Sequence, residues 1–195
     1  MDYNLKQAFS SRQKKILTNK KLNAAAVLVP LFYDGKEYHV LLTQRSNQVL
    51  HHKGQISFPG GKPHKSDSNL LETALRESWE EVGLEPKDVE VIGELDDTPT
   101  KTSGFVISPF VALIPYPHKF TRNPREITEI LAIPLSALMD RANCRQEFVD
   151  NDGEPATEYF YEYNGQVIWG ATARIIKQLL DTLSSASGAQ QAIVP

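Results

Sequence analysis

Residues 60–84 read GGKPHKSDSNLLETALRESWEEVGL, and this stretch predicts a strand end, a polar loop and an amphipathic helix. Asn69 can cap the helix, which we place at residues 70–82, and Gly83 suits the left-handed position that ends it. The apolar face of this helix can pack on a sheet and carries Leu71, Ala74, Leu75 and Val82. The segment therefore predicts a helix that covers a sheet, as in an α+β domain.

The same helix carries three carboxylates on a separate face. Glu80 and Glu81 follow Glu77 by three and four residues, and these spacings bring side chains together. Each like-charge pair costs an isolated helix roughly 0.2–0.5 kcal/mol, and Arg76 is the only basic residue within the helix. A divalent cation would offset this repulsion, because Mg²⁺ favours carboxylate oxygens. From the residues alone, a metal site and a solvated acidic face are equal alternatives.

The residues around these glutamates resemble the Nudix box. Residues 76–84, RESWEEVGL, follow its core of Arg-Glu-aliphatic-any-Glu-Glu-any-Gly-aliphatic, and Gly60 and Gly61 lie upstream where the box begins. Ser78 stands where an aliphatic residue is usual. The spacer before the box arginine is one residue longer, so Asp67 is the nearest substitute for the upstream glutamate of the box. The resemblance implies a Nudix-type α/β/α sandwich with a mixed, mostly antiparallel sheet, and hydrolysis of a pyrophosphate bond.

The resemblance also assigns roles to individual residues. Glu77, Glu80 and Glu81 would coordinate one or more Mg²⁺ or Mn²⁺ ions, with Glu77 and Glu81 counted as catalytic. A backbone carbonyl at Gly61 would complete the metal shell. Arg76, counted with the catalytic group, lies one helical turn before Glu80 and would hold that carboxylate in its ligating rotamer.

Members of this family often take a further glutamate, as base or metal ligand, from a loop after the box. Glu126 and Glu129 are the candidates here, and Glu126 fits the family pattern better because it lies just before a predicted strand. A surface glutamate in a charged loop is an equal alternative for this position.

The residues before the box resemble a second, narrower motif. Residues 41–61, LLTQRSNQVLHHKGQISFPGG, are similar to the motif of the coenzyme A-directed Nudix subfamily, and the longer spacer also matches that subfamily. Such enzymes split coenzyme A or its thioesters into 3′,5′-ADP and a 4′-phosphopantetheine product. Leu50 stands where the subfamily has arginine, which leaves ADP-ribose or a dinucleoside polyphosphate as an alternative substrate. A non-catalytic nucleotide-binding module is a further alternative, against which the intact glutamates argue.

Basic residues near this second motif could gather the phosphates of the substrate. The predicted cationic pocket consists of Arg45, His52, Lys53 and Lys62. Histidines in such a loop are more often hydrated than ligating. The alternating tyrosines at positions 159, 161 and 163 are interpreted as sheet packing and not as a base-stacking platform.

The rest of the chain predicts strands and hairpins around this helix. Runs of β-branched and aromatic residues predict strands at residues 24–33, 38–45, 55–58, 89–95, 105–115 and one that ends near residue 133. Residues 34–35 and 164–165 predict tight hairpin turns. Pro109 suggests that its strand lies at an edge or carries a bulge. A short helix is expected to open at Pro134, and residues 171–183 predict a final helix packed on the sheet.

Composition bounds the class of protein. The 195 residues suit one globular domain, and the net charge of −3 argues against a nucleic-acid binder that relies on bulk phosphate attraction. Cys144 is the only cysteine, so it is interpreted as a structural thiol. No apolar stretch resembles a signal peptide or a membrane span. We expect a cytoplasmic protein that acts on a small nucleotide, without nucleic-acid or membrane partners, and we leave a homodimer open.

The predicted organisation has three parts. Residues 1–21 form an N-terminal arm whose weak helical pattern suggests a short docking helix. Residues 22–184 form the Nudix hydrolase domain, and residues 185–195 form a flexible tail.

Overall fold

The computed structural model describes residues 2–10, 12–19, 21–46, 54–151 and 154–191. Its helices are α1 (Asp2–Ser10), α2 (Leu70–Val82), α3 (Leu135–Met139) and α4 (Gly170–Gln191). Its strands are β1 (Asn23–Tyr33), β2 (Tyr38–Arg45), β3 (Ile56–Ser57), β4 (Gly60–Gly61), β5 (Glu90–Glu94), β6 (Thr98–Pro99), β7 (Phe105–Leu113), β8 (Ile127–Pro134), β9 (Cys144–Asn151), β10 (Glu154–Tyr163) and β11 (Gln166–Ile168). Single turns of 3₁₀ helix follow α2 and α3, at Pro86–Asp88 and Arg141–Asn143.

The main sheet is organised around β1. This strand pairs in parallel with β7, from Asn23 opposite Phe105 to Leu31 opposite Leu113. The other ladders of the sheet are antiparallel, and the strand order is β3-β2-β1-β7-β5, with β4 beside β1, β6 beside β7 and β8 beside β2. The prediction of an α+β fold with a mixed, mostly antiparallel sheet is confirmed.

Helices cover both faces of this sheet because alternate residues of β1 are apolar on both sides. Successive side chains of a strand point to opposite faces. Val27, Val29 and Leu31 join a core with α1 and α4, while Ala26 and Leu28 join a second core with α2. Full burial of an aliphatic side chain contributes about 1.5–3 kcal/mol, so these two cores hold the α/β/α layers together.

Both predicted hairpins are confirmed. Between β1 and β2 the Asp34 carboxylate accepts hydrogen bonds from the backbone N–H groups of Lys36 and Glu37, at 2.8 and 2.9 Å. Between β10 and β11 the chain turns at Asn164 and Gly165, which adopt φ of 48° and 77°. These positive φ angles are the reason that Asn-Gly is favoured in such turns.

Of the two expectations for Pro109, an edge or a bulge, the edge is wrong, whereas the ladder between β5 and β7 does contain a register shift, between Val91 and Gly93. β7 lies between β1 on one side and β5 and β6 on the other, and its partner changes at Pro109: Ile107 lies opposite β6, whereas Phe110 lies opposite β5. The Pro109 carbonyl accepts a hydrogen bond from the Leu95 N–H at 3.0 Å. The N–H and C=O groups of a strand residue point toward the same neighbouring strand. A proline lacks the N–H group, and at Pro109 this group would face the place where the partner strand changes from β6 to β5. Its absence therefore interrupts no ladder.

A second sheet consists of β9, β10 and β11 in antiparallel order. The sequence did not predict β9, whose polar residues CRQEFVDN lack an apolar alternation. The tyrosine stripe of β10 is confirmed as sheet packing, since Tyr161 is 1% exposed and Tyr159 and Tyr163 pack against the core that contains α4. Phe160 alternates with these tyrosines and points to the other face.

Of the helices at the two ends of the chain, α1 was predicted as a short docking helix, whereas α4 extends farther than predicted. α1 is the expected docking helix: Leu5 and Phe9 are buried, and Phe9 packs on Gly93 so closely that an added Cβ would lie 2.5 Å from the Phe9 Cβ. α4 continues to Gln191, so helix covers most of the segment that we predicted as a flexible tail. The domain limits themselves stay predictions.

Within the described residues, no helix has both the length and the hydropathy that are needed to cross a membrane.

Candidate active site

Helix α2 forms one wall of the candidate site, and it occupies the predicted residues. The Asn69 side chain caps its first turn by accepting a hydrogen bond from the Glu72 N–H at 2.9 Å. Gly83 ends it with φ of 72°, and its N–H donates to the Trp79 carbonyl. Ala74 and other residues of the apolar face are buried against the sheet, which turns the neighbouring arc of glutamates toward β4.

The two glycines of β4 let the backbone approach α2 and β1. At Gly60, where φ is 152°, an added Cβ would lie 2.2 Å from the Ala26 carbonyl oxygen. At Gly61 it would lie 2.6 Å from the carboxyl carbon of Glu77. Only glycine fits at Gly60, where the clash is with backbone atoms, whereas at Gly61 the Glu77 side chain could move aside. The backbone of β4 therefore passes directly beside the Glu77 carboxylate.

Glu81 is the most deeply buried carboxylate of the candidate site, with 1% of its surface exposed. It accepts a hydrogen bond from the Gly60 N–H at 3.2 Å and lies 3.6 Å from the Arg45 guanidinium. Burial raises the pKa of Glu81 to about 8, against the opposing effects of Arg45 and the Gly60 N–H; the charges of Glu77 and Glu126 reinforce the rise. These two partners, at 3.2 and 3.6 Å, do not fully offset the free-energy cost of burying a charged carboxylate, and in this sense Glu81 is under-compensated.

Arg76 connects three carboxylates at the edge of the site. Its Nη1 donates to Glu77 at 2.9 Å and to Glu80 at 3.1 Å, so the predicted pairing with Glu80 is present. Its strongest contacts are with Asp67, at 3.0 Å from both Nε and Nη2, and these hold the pKa of Asp67 well below its usual range. Burial raises the pKa of Glu77, although Arg76 opposes the rise. Sequence reasoning named Asp67 only as a substitute for the box glutamate and missed its contact with Arg76.

Glu126 lies near the glutamate helix, and Glu129 does not. The charge of Glu126 raises the pKa of both Glu77 and Glu81, which places its carboxylate within electrostatic reach of them. The Asn123 side chain donates to Glu126 at 3.0 Å. Glu129 is exposed on β8 opposite Gln44. The geometry therefore favours Glu126 over Glu129 as the further glutamate.

The charge balance of the site fits a divalent cation. Five carboxylates face two guanidinium groups, those of Arg45 and Arg76; the carboxylates belong to Asp67, Glu77, Glu80, Glu81 and Glu126. Within the described ranges, no three acidic, histidine or cysteine side chains already converge as a set of metal ligands, and Glu77 and Glu80 instead share the Arg76 guanidinium. A bound cation would replace part of that contact.

The predicted substrate-binding residues are only partly described. Arg45 is at the site, where it faces Glu81. The Lys62 ammonium lies 4.9 Å from the centre of the Phe105 ring, an arrangement typical of a cation–π contact. His52 and Lys53, as well as Leu50, lie outside the described residues.

A cleft of about 490 Å³ adjoins β4 and extends toward the start of α4. Arg45, Gly61 and Lys62 line it at one end, and Phe160 and Trp169 line it elsewhere. Sequence reasoning missed the two aromatic residues. Their signals were weak: Phe160 alternates with the packed tyrosines of β10, and Trp169 directly follows the β11 strand.

Known proteins resemble this chain in sequence. The family model of the NUDIX domain matches residues 22–151. The uncharacterized Nudix hydrolase NudL of Photorhabdus laumondii is 38% identical over 156 residues, which cover 80% of this chain and 82% of that protein. NudL of Yersinia enterocolitica is 39% identical over 155 residues, which cover 80% of this chain and 78% of that protein.

Solved structures resemble it in fold. The MutT/nudix family protein of Enterococcus faecalis superposes with a TM-score of 0.58 at 15% identity, over 89% of this chain and 66% of that one. The NUDIX domain of Shewanella oneidensis NrtR, complexed with ADP ribose, superposes with a TM-score of 0.50 at 24% identity, over 62% of this chain and 78% of that one. At these identities the superpositions show the fold alone.

Proposed function

This chain belongs to the Nudix hydrolase family, and from that premise we propose that it cleaves the pyrophosphate bond of coenzyme A or an acyl-coenzyme A. The products would be 3′,5′-ADP and a 4′-phosphopantetheine. The observation that carries the hydrolytic part is the buried, under-compensated Glu81 beside Gly60. The substrate rests on the likeness of residues 41–61 to the coenzyme A-directed motif.

The residues that would hold a divalent cation surround this carboxylate. Glu77, Glu80 and Glu81 would supply carboxylate oxygens, and Gly61 a backbone carbonyl, which together suit Mg²⁺ or Mn²⁺. When bound, such an ion polarises a phosphoryl oxygen and lowers the pKa of a water molecule.

The remaining residues position these groups and handle the proton. Arg45 would orient the Glu81 carboxylate. Asp67 would hold the Arg76 guanidinium in place, and Arg76 would in turn hold the Glu77 carboxylate. In the reaction, a water oxygen forms a bond to one phosphorus atom and the bridging P–O bond breaks, so that each product carries a phosphate. Glu126 would accept the proton that this water loses.

The first test is a product-resolved assay. Purified protein with Mg²⁺ or Mn²⁺ is expected to convert coenzyme A to 3′,5′-ADP and 4′-phosphopantetheine, identified by mass spectrometry. ADP-ribose, which is bound by the NrtR domain of similar fold, and a dinucleoside polyphosphate complete the panel. Cleavage of these nucleotides without any 3′,5′-ADP from coenzyme A would replace the proposed substrate, and a gain of coenzyme A turnover in Leu50→Arg would then locate the cause.

The second test concerns Asp67, which acts through Arg76 as a positioning residue. Asp67→Asn is expected to lower kcat by about 10–100-fold with little change in KM, because Arg76 loses its anchor and no longer steadies the Glu77 carboxylate. Asp67→Glu keeps the charge and should restore part of kcat. The matched control is Asp88→Asn, in the 3₁₀ turn after α2. An Asp67→Asn enzyme with the kcat of the control would show that Arg76 needs no such anchor.

A further inference from the structure

The cleft beside the glutamate helix differs in charge from one end to the other. At the end near β4, the Lys62 ammonium lies against the Phe105 ring, and no carboxylate of the described residues lies within salt-bridge distance of it. Lys62 follows Gly61, which contacts Glu77, so this unpaired cation is adjacent to the candidate metal site. A phosphate at the metal site could therefore contact Lys62.

The other cations of the cleft are already paired. Glu158, whose side chain is 13% exposed, lies 2.8 Å from the Lys101 ammonium and 3.1 Å from the Arg174 guanidinium. Arg174 also donates to the Pro99 carbonyl. Arg45 faces Glu81. A second phosphate at the Glu158 end would meet a half-buried carboxylate and would have to displace it from both cations, which is unfavourable.

The walls of the cleft suit an uncharged, partly apolar chain. Phe105, Phe160 and Trp169 line it together with aliphatic residues of β1 and β7. Trp169 is 50% exposed, so its indole is not explained by core packing. Thr102 adds a hydroxyl group that can bond to an amide, whereas the Thr100 hydroxyl is already bonded to the Phe105 backbone. Apolar walls with a few polar groups are typical of sites for small molecules.

We propose that this cleft binds the pantetheine arm of the substrate with its thiol or acyl group, and that the 3′-phosphorylated nucleoside lies outside it. This inference rests on the proposed function. It implies that the pantetheine half of the substrate, with its thiol or acyl group, determines selectivity. An acyl chain that lengthens into the cleft buries more apolar surface, so KM is expected to fall by about tenfold or more from acetyl- to octanoyl-coenzyme A.

Binding of substrate fragments tests the assignment without any turnover. In a Trp79→Phe background, Trp169 is the only tryptophan and reports on the cleft. S-octanoylpantetheine is expected to change its fluorescence saturably, whereas 3′,5′-ADP leaves it unchanged. Glu158→Gln, which leaves Lys101 and Arg174 without their carboxylate, should allow 3′,5′-ADP to bind. A response of the unaltered cleft to 3′,5′-ADP, or no response to S-octanoylpantetheine, overturns the proposal.

Kinetics separate this inference from the proposed function. Trp169→Ala is expected to raise KM for octanoyl-coenzyme A about tenfold and KM for coenzyme A by a smaller factor, with little change in kcat, because both substrates carry the pantetheine arm and only one carries the acyl chain. The control is Phe148→Ala, because Phe148 is 88% exposed on β9 and does not line the cleft. KM values for both substrates equal to those of the control variant would refute the pantetheine site and leave the coenzyme A hydrolase in place. Cleavage of ADP-ribose alone would refute the coenzyme A hydrolase itself.

Discussion

Glu81→Gln is expected to lower kcat by about 10²–10³-fold or more while the fold stays intact. The amide keeps the shape of the side chain and can still accept a hydrogen bond from the Gly60 N–H. It removes the charge that would bind a cation at a position with 1% exposure, where water cannot substitute for it. Steady-state kinetics and circular dichroism on the same preparations measure the two effects.

The control for this variant is Glu85→Gln, an exposed glutamate four residues later that pairs with Lys87. It should retain full turnover. Turnover in Glu81→Gln equal to that of the control would contradict the metal role proposed for Glu81.

The same substitution is expected to stabilise the metal-free protein at alkaline pH. The pKa of Glu81 in the folded chain is about 8, above the ordinary value of 4.5, so the folded state holds a proton that the unfolded state has released between these values. The contribution of Glu81 to the stability of the metal-free protein therefore falls as pH rises from about 4.5 to 8, and glutamine abolishes this contribution. We expect Tm at pH 9 to rise by about 2–4 °C in EDTA, measured by calorimetry. A lower Tm than wild type would show that the Arg45 pairing outweighs the cost of burial.

Among substitutions that add one methyl group in the site, Gly60→Ala is expected to lower the free energy of unfolding the most. Its Cβ would lie 2.2 Å from the Ala26 carbonyl oxygen and 2.6 Å from the Val27 Cα, and both are backbone atoms that cannot rotate away. The φ of 152° adds strain for any residue with a side chain. A loss of about 4 kcal/mol or more corresponds to a fall in Tm of about 8–16 °C.

Gly35→Ala separates the steric clash from the backbone strain. Gly35 also has a positive φ, of 99°, but an added Cβ meets nothing within 4 Å. Strain alone should cost about 1–3 kcal/mol. Equal falls in Tm for the two variants would mean that β4 can move away from β1, and the tight approach of Gly60 would then have no role in shaping the site.

Local features of the site were predictable because local energies decide them. α2 begins and ends where predicted, since the Asn69 cap, the apolar periodicity and Gly83 all act within one segment. The hairpin turns depend on two or three adjacent residues and were predicted for the same reason. The family resemblance selected the glutamate helix as the centre of the site.

Non-local features were missed. β9 becomes a strand only because β10 pairs with it, and its own residues show no strand pattern. Pro109 is tolerated because its partner strand changes at that point, which no nearby residue indicates. Asp67 was noted without its partner, because the loop conformation that turns it toward Arg76 depends on packing. The wall made by Phe160 and Trp169 requires the second sheet to lie beside β4.

By itself, the sequence determined that Glu77, Glu80 and Glu81 share one helix face, because the period of the helix and its two caps are set within the fifteen residues from Asn69 to Gly83. Only the tertiary structure decided which carboxylate is buried, which cation faces this carboxylate and which cleft lies beside the site. Burial of Glu81 depends on β4 and on Arg45 at the end of β2, and the cleft depends on β10 and the start of α4. These segments are far apart in the chain, and burial is a property of the packed layers that bring them together.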